Sequence, residues 1–185
     1  NAQAIDYPTR TIKFVLPFPS GSGTDQAARA AANDITRRTG QPVIVENKPG
    51  ANGLIAAQQV ARAAPDGYTV FITTMTTQSV NPFLYKKLPY DPVADFIPVA
   101  MISKTAMVLV VRNTEDQPKS VAELTARMQA AGSKLSFASG NTSSLVAGKT
   151  YSNAVSSPAL HVPYKGIPQA VTDLMAGAVD FMFSD

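Results

Sequence analysis

Small and hydroxyl-bearing residues follow the first apolar run of the sequence. The run 12–16 (IKFVL) is typical of a buried strand, the segment 17–25 (PFPSGSGTD) of a tight loop, and the alanine-rich stretch 26–38 of a helix. A glycine-rich loop lets the backbone approach a ligand closely, and a helix N-terminus behind it attracts an anion. Such a loop can bind an anion with neutral groups. For a single glycine-rich loop we favour an ordinary strand-to-helix turn, and only the rest of the sequence can reverse that preference.

The ends of this first helix also have recognisable signals. Ser22 and Asp25 have the spacing of a capping box, and Arg37, Arg38 and Gly40 fit a helix C-terminus. We favour a capping role for Ser22 over a ligand contact. The capping position also explains Asp25 without making it a general base.

Two further loops, 74–78 (TMTTQ) and 139–144 (SGNTSS), are rich in hydroxyl groups. Each follows a predicted strand, and in open parallel sheets ligands bind beyond the carboxyl ends of the strands. Three such loops predict a binding cleft. Backbone N–H groups and hydroxyls could hold a carboxylate there, and the hydroxyls expected to contribute in the first lobe are those of Ser20, Ser22, Thr24, Thr74 and Thr76.

Strand-like and helix-like segments alternate along the chain, which predicts an α/β fold with a largely parallel sheet. Predicted strands cover 12–16, 42–46, 68–73, 135–138 and 179–183, with His161 and Val162 in another, and predicted helices cover 26–38, 53–64, 120–131, a segment ending near 154, and one from Pro168 to about 176. Gly132 is expected to end the helix that Ser120 and Glu123 open. The long apolar run 99–111 is interrupted at 103–105, which we interpret as the crossover between a first lobe (1–103) and a second lobe (104–185).

Composition narrows the classes of function. The 185 residues are 45% hydrophobic and 16% charged with a net charge of +3, which is typical of a soluble globular protein. Lysine and arginine are scattered, so nucleic-acid binding is not indicated, and no apolar run approaches the roughly 20 residues of a membrane span. Because cysteine is absent, disulfides and thiolate sites are excluded. Ala2-Gln3-Ala4 looks like the end of a removed export signal.

Catalysis, metals and cofactors have little support in the sequence. His161 is the only histidine, it lies in a predicted strand, and no GxSxG elbow is present, so we interpret it as structural. No His or carboxylate pair has metal-ligand spacing. The first loop lacks the lysine of a nucleotide-binding P-loop. We therefore expect no catalytic residue, no metal and no cofactor.

Five ordered blocks besides the first loop carry a resemblance to a known family. They are 43–53 (VIVENKPGANG), 64–69 (APDGYT), 84–92 (LYKKLPYDP), 95–99 (DFIPV) and 161–166 (HVPYKG). With that loop they closely resemble the Bug family, the periplasmic solute-binding proteins of tripartite tricarboxylate transporters. The resemblance spans essentially the whole chain.

The resemblance implies a type II periplasmic-binding-protein-like fold with two lobes, and a binder of small carboxylates in place of an enzyme. It implies that ligand carboxylates are held at the first loop, partly through water, with the second-lobe loop closing over the other end. It also implies a periplasmic location and membrane transporter subunits as partners. The expected ligand-binding residues are Phe18, Ser20, Gly21, Ser22, Gly23, Thr24, Asp25, Thr74, Thr76, Ser139, Gly140, Asn141, Ser143, Ser144, Ser184 and Asp185.

The sequence departs from the family pattern in three respects. Ser22 separates two glycines that are usually adjacent, and Leu145 and Lys149 stand where the family commonly has a histidine and an acidic residue. The identity of the acid therefore does not transfer from relatives. The resemblance also implies further chain after Asp185, so we expect a fragment, a proteolysed product or a natural short form with an incomplete second lobe. Such a chain is expected to self-associate, or to be part of a longer protein.

The sequence is best explained by an extracytoplasmic solute-binding protein that captures a small organic acid between two lobes and delivers it to a membrane transporter. Hinge closure on the ligand is its expected mechanism. One alternative is the ligand-sensing domain of a regulator, although no helix-turn-helix precedes the first strand. A weaker alternative is an enzyme acting on a carboxylated substrate.

Overall fold

A computed structural model describes residues 6–131 and 134–185 of the chain. The chain divides into two compact units, one up to Lys104 and the other Thr105–Asp185, and each contains its own sheet. The predicted α/β class with mostly parallel sheets is confirmed. Among the described residues no helix is both long and apolar enough to cross a membrane.

The first unit is a three-stranded parallel sheet with helices. Its strands, in sheet order, are β2 (Val43–Asn47), β1 (Ile12–Leu16) and β3 (Thr69–Phe71). Its helices are α1 (Gly23–Thr39), α2 (Leu54–Ala61) and α3 (Asn81–Leu84), with a 3-10 turn at Ala51–Gly53 and a π-helical turn at Thr76–Val80.

The core of this unit lies between β1 and α1. Strand β1 is central, so its residues are nearly all buried, and Phe14 lies opposite both Val45 and Val70. Ala28 and Ala32 of α1 are buried against the sheet, and their small side chains allow close packing. Because both neighbours of β1 are parallel to it, the carboxyl ends of all three strands meet at one edge. That edge carries the first predicted loop.

The second unit is a four-stranded mixed sheet. In chain order its elements are β4 (Val108–Val111), α4 (Val121–Ala131), β5 (Ser136–Ser139), α5 (Thr142–Ala154), β6 (Leu160–Pro163), α6 (Ile167–Ala176) and β7 (Phe181–Ser184). The sheet order is β4-β7-β5-β6, with β4 antiparallel to β7 and the other pairs parallel.

Both faces of this second sheet are buried. Phe137 and Phe181 are partners in register, and their rings stack on one face at a centroid distance of 5.8 Å. Ala138 and Met182, one residue further along each strand, contribute to the core on the other face. Gly148 of α5 makes room for Phe137, because a Cβ there would lie 2.3 Å from the Phe137 ring. The alternation follows directly from the period of two in a strand.

Three predictions about elements were wrong. Residues 139–144 do not form a loop throughout, because α5 begins at Thr142 behind its N-cap Asn141. Residues 74–78 do not form a simple loop, since the π-helical turn begins at Thr76 and buries Thr77. The helix predicted at 53–64 is shorter and covers only Leu54–Ala61; Gly53, with a left-handed conformation (φ 82°), is its N-cap. The predicted helix end at Gly132 and the signal-like Ala2-Gln3-Ala4 lie outside the described residues.

Candidate functional site

Ser22 is the N-cap of α1, as predicted. Its Oγ accepts a hydrogen bond from the Asp25 N–H at 3.2 Å, and its backbone is extended. The reciprocal half of the capping box differs from the expectation. The Asp25 carboxylate accepts from the Gly21 N–H at 3.0 Å, one residue before the cap. Asp25 therefore fixes the loop as well as the first turn of the helix.

The Asp25 carboxylate is buried and is the centre of a wider network. Its Oδ2 accepts from Arg29 Nε at 2.9 Å, and its Oδ1 accepts from Asn47 Nδ2 at 2.9 Å. Asn47 Nδ2 also donates to the Phe18 carbonyl at 3.0 Å, and Arg29 donates to Asn47 Oδ1 at 3.2 Å. The network joins the carboxyl end of β2 to the loop after β1. Asn47 was missed by the sequence analysis, although its place at a strand end beside β1 was a usable signal.

These bonds determine the charge of Asp25. Burial by itself raises the pKa of this carboxyl, but hydrogen bonds from Arg29, Gly21 and Asn47 outweigh it and lower the pKa to about 2. Asp25 is therefore ionised at neutral pH and is a weak base. With its oxygens engaged by Gly21, Arg29 and Asn47, the carboxylate holds the loop in shape.

The α1 N-terminus offers two free backbone donors. Within residues 6–131 and 134–185, no group accepts a hydrogen bond from the N–H of Gly23 or of Thr24. A Cβ placed at Gly21 or Gly23 would meet nothing within 4 Å, so there is open space at the start of the helix. Ser20 is exposed and Thr24 is half-buried at the same loop. The helix dipole adds a favourable term for an anion at this point.

Thr74 and Thr76 follow β3, the neighbour of β1, and so lie beyond the same edge of the sheet. The Thr74 hydroxyl accepts from the Thr76 N–H at 3.3 Å. Thr76 is 3% exposed, and its Oγ1 has no hydrogen-bond partner among the described residues. A buried hydroxyl without a partner is costly, so a water or ligand atom is the expected partner.

The N-terminus of α5, in the second unit, is also capped by side chains. Asn141 is the N-cap, its Oδ1 accepts from the Ser144 N–H at 2.8 Å, and Ser144 completes the capping box by accepting from the Asn141 N–H at 3.2 Å. Ser144 Oγ also accepts from the Gly140 N–H and donates to the Asn141 carbonyl. The Thr142 and Ser143 N–H groups have no acceptor within the described parts of the chain. Ser144 is thus a buried capping residue, while Ser143 is half-buried at the free end of the helix.

In this second loop Gly140 packs closely against the backbone of Gly166, and Asn141 contacts the side chain of Asp185. A Cβ on Gly140 would lie 2.3 Å from the backbone carbon of Gly166, so no larger residue fits without moving the backbone. Asn141 Nδ2 donates to Asp185 Oδ1 at 3.2 Å, and Ser184 Oγ donates to the Asp185 carbonyl at 3.2 Å. The structure therefore brings Asn141 and Asp185, two of the predicted site residues, into hydrogen-bond contact.

His161 has a specific partner. Its Nε2 lies 2.7 Å from the Oγ of Ser139, and its ring packs on Phe137 at a centroid distance of 5.1 Å. Burial, and secondarily the charge of Lys149, lower its pKa. Within the described residues no carboxylate hydrogen-bonds to His161, and no cluster of three metal-ligating side chains is found.

Comparison with protein families gives a match over most of the chain. The family model described as "Tripartite tricarboxylate transporter family receptor" (TctC) matches residues 27–185. The chain is 37% identical over 184 residues to the "UPF0065 protein in tcbD-tcbE intergenic region" of Pseudomonas sp. (strain P51), covering 98% of this chain and 54% of that protein. It is 33% identical over 177 residues to "Protein BugT" of Bordetella pertussis, covering 94% and 54%. The chain thus spans about half the length of these curated relatives.

Solved structures are similar over nearly the whole chain. The structure described as R. palustris Rpa4515 with adipate has a TM-score of 0.92 at 30% identity, covering 96% of this chain and 60% of that one. MatC from Rhodopseudomonas palustris with bound malate has a TM-score of 0.86 at 32% identity, covering 96% and 61%. The periplasmic binding protein BugD has a TM-score of 0.82 at 32% identity, covering 96% and 60%.

The family match, the relatives and the fold agree with one another and with the sequence blocks that resemble the Bug family. The chain belongs to the tripartite tricarboxylate transporter receptor family, which includes the Bug proteins.

Proposed function

We propose that this chain binds a small organic acid as part of an extracytoplasmic solute-binding protein that delivers the acid to a membrane transporter. The observation that carries the proposal is the pair of free N–H groups at the start of α1, Gly23 and Thr24, with open space beside them. The similar structures with adipate and with malate support a carboxylate as the bound group.

Unpaired backbone donors take the place of a cation at the start of α1. Arg29 is engaged with Asp25, so it is not a free counter-ion, and the helix N-terminus must supply the positive potential. Hydrogen bonds to an ionised group contribute about 1.5–3 kcal/mol each, so two such bonds can anchor a carboxylate. The hydroxyls of Ser20 and Thr76 add donors at the same edge of the sheet. The free N–H groups of Thr142 and Ser143 at α5 give the second unit a position of the same kind.

The environments of Asp25 and His161 favour binding without catalysis. Asp25 is held ionised by its network, and its low pKa makes it a poor general base. His161 contacts Ser139, but a nucleophilic triad also needs a group that orients the imidazole, and the described residues offer no carboxylate for that role.

Export to the periplasm, with removal of a signal peptide, and transfer of the acid to transporter subunits are also part of the proposal. They are supported by the family's description as a transporter receptor and by the periplasmic binding protein BugD among the similar structures. Fractionation of cells that express the full-length gene product, with N-terminal sequencing of the mature protein, tests the location. Recovery of the protein in the cytoplasmic fraction with an intact N-terminus would contradict it.

A thermal-shift screen followed by calorimetry tests acid binding. Adipate and malate are expected to raise the Tm of this chain by mass action, whereas adipamide, which matches adipate in length but has no charge, is not. Stabilisation by adipamide to the same extent would show that the carboxylate charge is not recognised. Stabilisation by a nucleotide, with no effect of either acid, would overturn the proposal.

We also propose that the 185-residue chain self-associates through its exposed apolar segment 97–102. Ile97, Val99 and Met101 are 88%, 86% and 72% exposed, and an apolar patch of this kind favours contact with another chain. Sedimentation velocity at several concentrations is expected to show a concentration-dependent oligomer that a V99D/M101D double variant removes. A monomer at every concentration would contradict this.

A further inference from the structure

Ser139 and His161 form a hydrogen-bonded pair that the proposed function has not used. Ser139 is the last residue of β5 and is 5% exposed, and its Oγ lies 2.7 Å from His161 Nε2 on the neighbouring strand β6. The imidazole ring is held by packing on Phe137, its partner in the parallel register. The pair is therefore enclosed and fixed in direction, and it lies at the strand end that leads into the α5 N-terminus.

The position of one proton decides what Ser139 can do. A serine hydroxyl has a single O–H donor, and a neutral imidazole has one N–H and one acceptor nitrogen. If Nε2 accepts, the Ser139 proton points at the histidine and only lone pairs are left for a ligand. If Nε2 carries the proton and donates, the Ser139 O–H is free to donate to a carboxylate.

We propose that His161 is a positioning residue for acid binding, which donates from Nε2 to Ser139 and so directs the Ser139 hydroxyl proton to the ligand carboxylate. The inference rests on the proposed function and deepens it, because it names the group that sets the polarity of one donor. An anion at this point selects the Nε2–H tautomer, and it also favours the doubly protonated imidazolium, in which Nε2 always donates.

The charged surroundings of His161 give the sign of the pH dependence. From α5, Lys149 places its Nζ 5.8 Å from the centroid of the Phe137 ring on which His161 packs, while β5 has no titratable side chain between Ser136 and Ser139. Asp180 is bound to Ser136 at the other end of β5. Burial and Lys149 therefore keep the free protein's histidine neutral at pH 7 by lowering its pKa. A bound anion opposes both effects, so affinity is expected to rise as the pH falls.

Calorimetry with adipate between pH 8 and pH 5 tests the inference on three proteins. Wild-type affinity relative to that of His161→Gln is expected to rise by about fivefold or more toward pH 5, the lower range of coupling between two sites. Glutamine can place an amide N–H near the same point and cannot titrate, so H161Q should bind at pH 8 with nearly wild-type affinity. H161L, which removes the donor, should bind more weakly at every pH. At any one pH, all three proteins meet adipate in the same ionisation state. The ratio of wild-type to variant affinity therefore reports only the effect of residue 161.

Nitrogen NMR of the imidazole gives a second readout that a merely structural role would not move. His161 is the only histidine of this chain, so its signals are unambiguous in tag-free protein. The Nε2–H tautomer is expected to dominate with adipate bound. The pKa of the His161 imidazole is expected to be higher in the complex than in the free protein. Ser139→Ala should abolish that difference.

The outcomes separate this inference from the function on which it rests. Adipate binding with an Nδ1–H tautomer in the complex, or with identical pH profiles for wild type and H161Q, overturns the role of His161 and leaves acid binding intact. No binding of adipate or malate at any pH overturns the proposed function and this inference with it.

Discussion

Replacing Asp25 by asparagine is expected to destabilise the first unit by about 2 kcal/mol at pH 7. The side chain keeps its size, but it loses the charge that accepts from Gly21, Arg29 and Asn47. These bonds lower the pKa of the carboxyl from 3.8 to about 2, and a shift of that size corresponds to about 2 kcal/mol. The carboxylate is 3% exposed, so solvent screening does not reduce the figure much.

The effect has a defined pH dependence. The folded-state pKa is below the unfolded value, so the contribution is fully present above about pH 5, where the unfolded state is also ionised, and it is lost as the pH falls towards 2. Stability of wild type and D25N should therefore converge in acid. Urea unfolding at pH 7, 5 and 3, read by hydrogen-exchange mass spectrometry on peptides from β1 and β2, measures the difference in the first unit.

Asp34→Asn is the matched control on the same helix. Asp34 pairs with Arg37 and Arg38 at the surface, and such exposed pairs contribute little. The urea concentration at the midpoint of unfolding (Cm) should be the same for D34N as for wild type. A D25N protein as stable as wild type at pH 7, or a loss that persists unchanged at pH 3, would refute the network as the source of the stability.

Three further predictions concern the loops. Gly23→Val should leave the Tm nearly unchanged, because a Cβ at Gly23 meets nothing within 4 Å. In calorimetry it should weaken adipate binding about tenfold or more, because the valine side chain would cover the free N–H groups. Wild-type affinity of this variant would move the site away from α1. Gly140→Ala should cost about 1–3 kcal/mol in urea unfolding, because its Cβ would overlap the Gly166 backbone, whereas the control Gly23→Ala should not; equal stability of the two would show that the close packing is absent. Ser144→Ala should cost about 1–3 kcal/mol of stability, because it leaves the Gly140 and Asn141 N–H groups unpaired. Ser143→Ala should keep the wild-type stability and weaken adipate binding. The reverse pattern would contradict the assignment of the two serines.

Local sequence signals predicted the first loop well. The Ser22 cap and the left-handed Gly40 at the end of α1 follow from residue type and spacing within one helix. They could be predicted because all the interacting groups are close in sequence. The Asn141 cap of α5 was not predicted, because residues 139–144 were interpreted entirely as a loop, whereas the helix begins at Thr142.

Contacts between distant segments could not be predicted in the same way. The Asn47 amide reaches Asp25 across 22 positions, and His161 reaches Ser139 across 22 positions, and both pairings depend on strand register. A single sequence does not specify which strands are neighbours, so Asn47 was overlooked and His161 was assigned no partner.

A ¹H–¹⁵N NMR titration of this chain with adipate tests the central claim most directly. The amide signals of Gly23 and Thr24 are expected to shift downfield and to become protected from exchange, because a carboxylate would accept from these two otherwise free N–H groups. The Gly21 and Asp25 amides, already bonded within the loop, should shift much less. Saturable shifts elsewhere in the chain, with Gly23 and Thr24 unchanged, would contradict a carboxylate site at the start of α1.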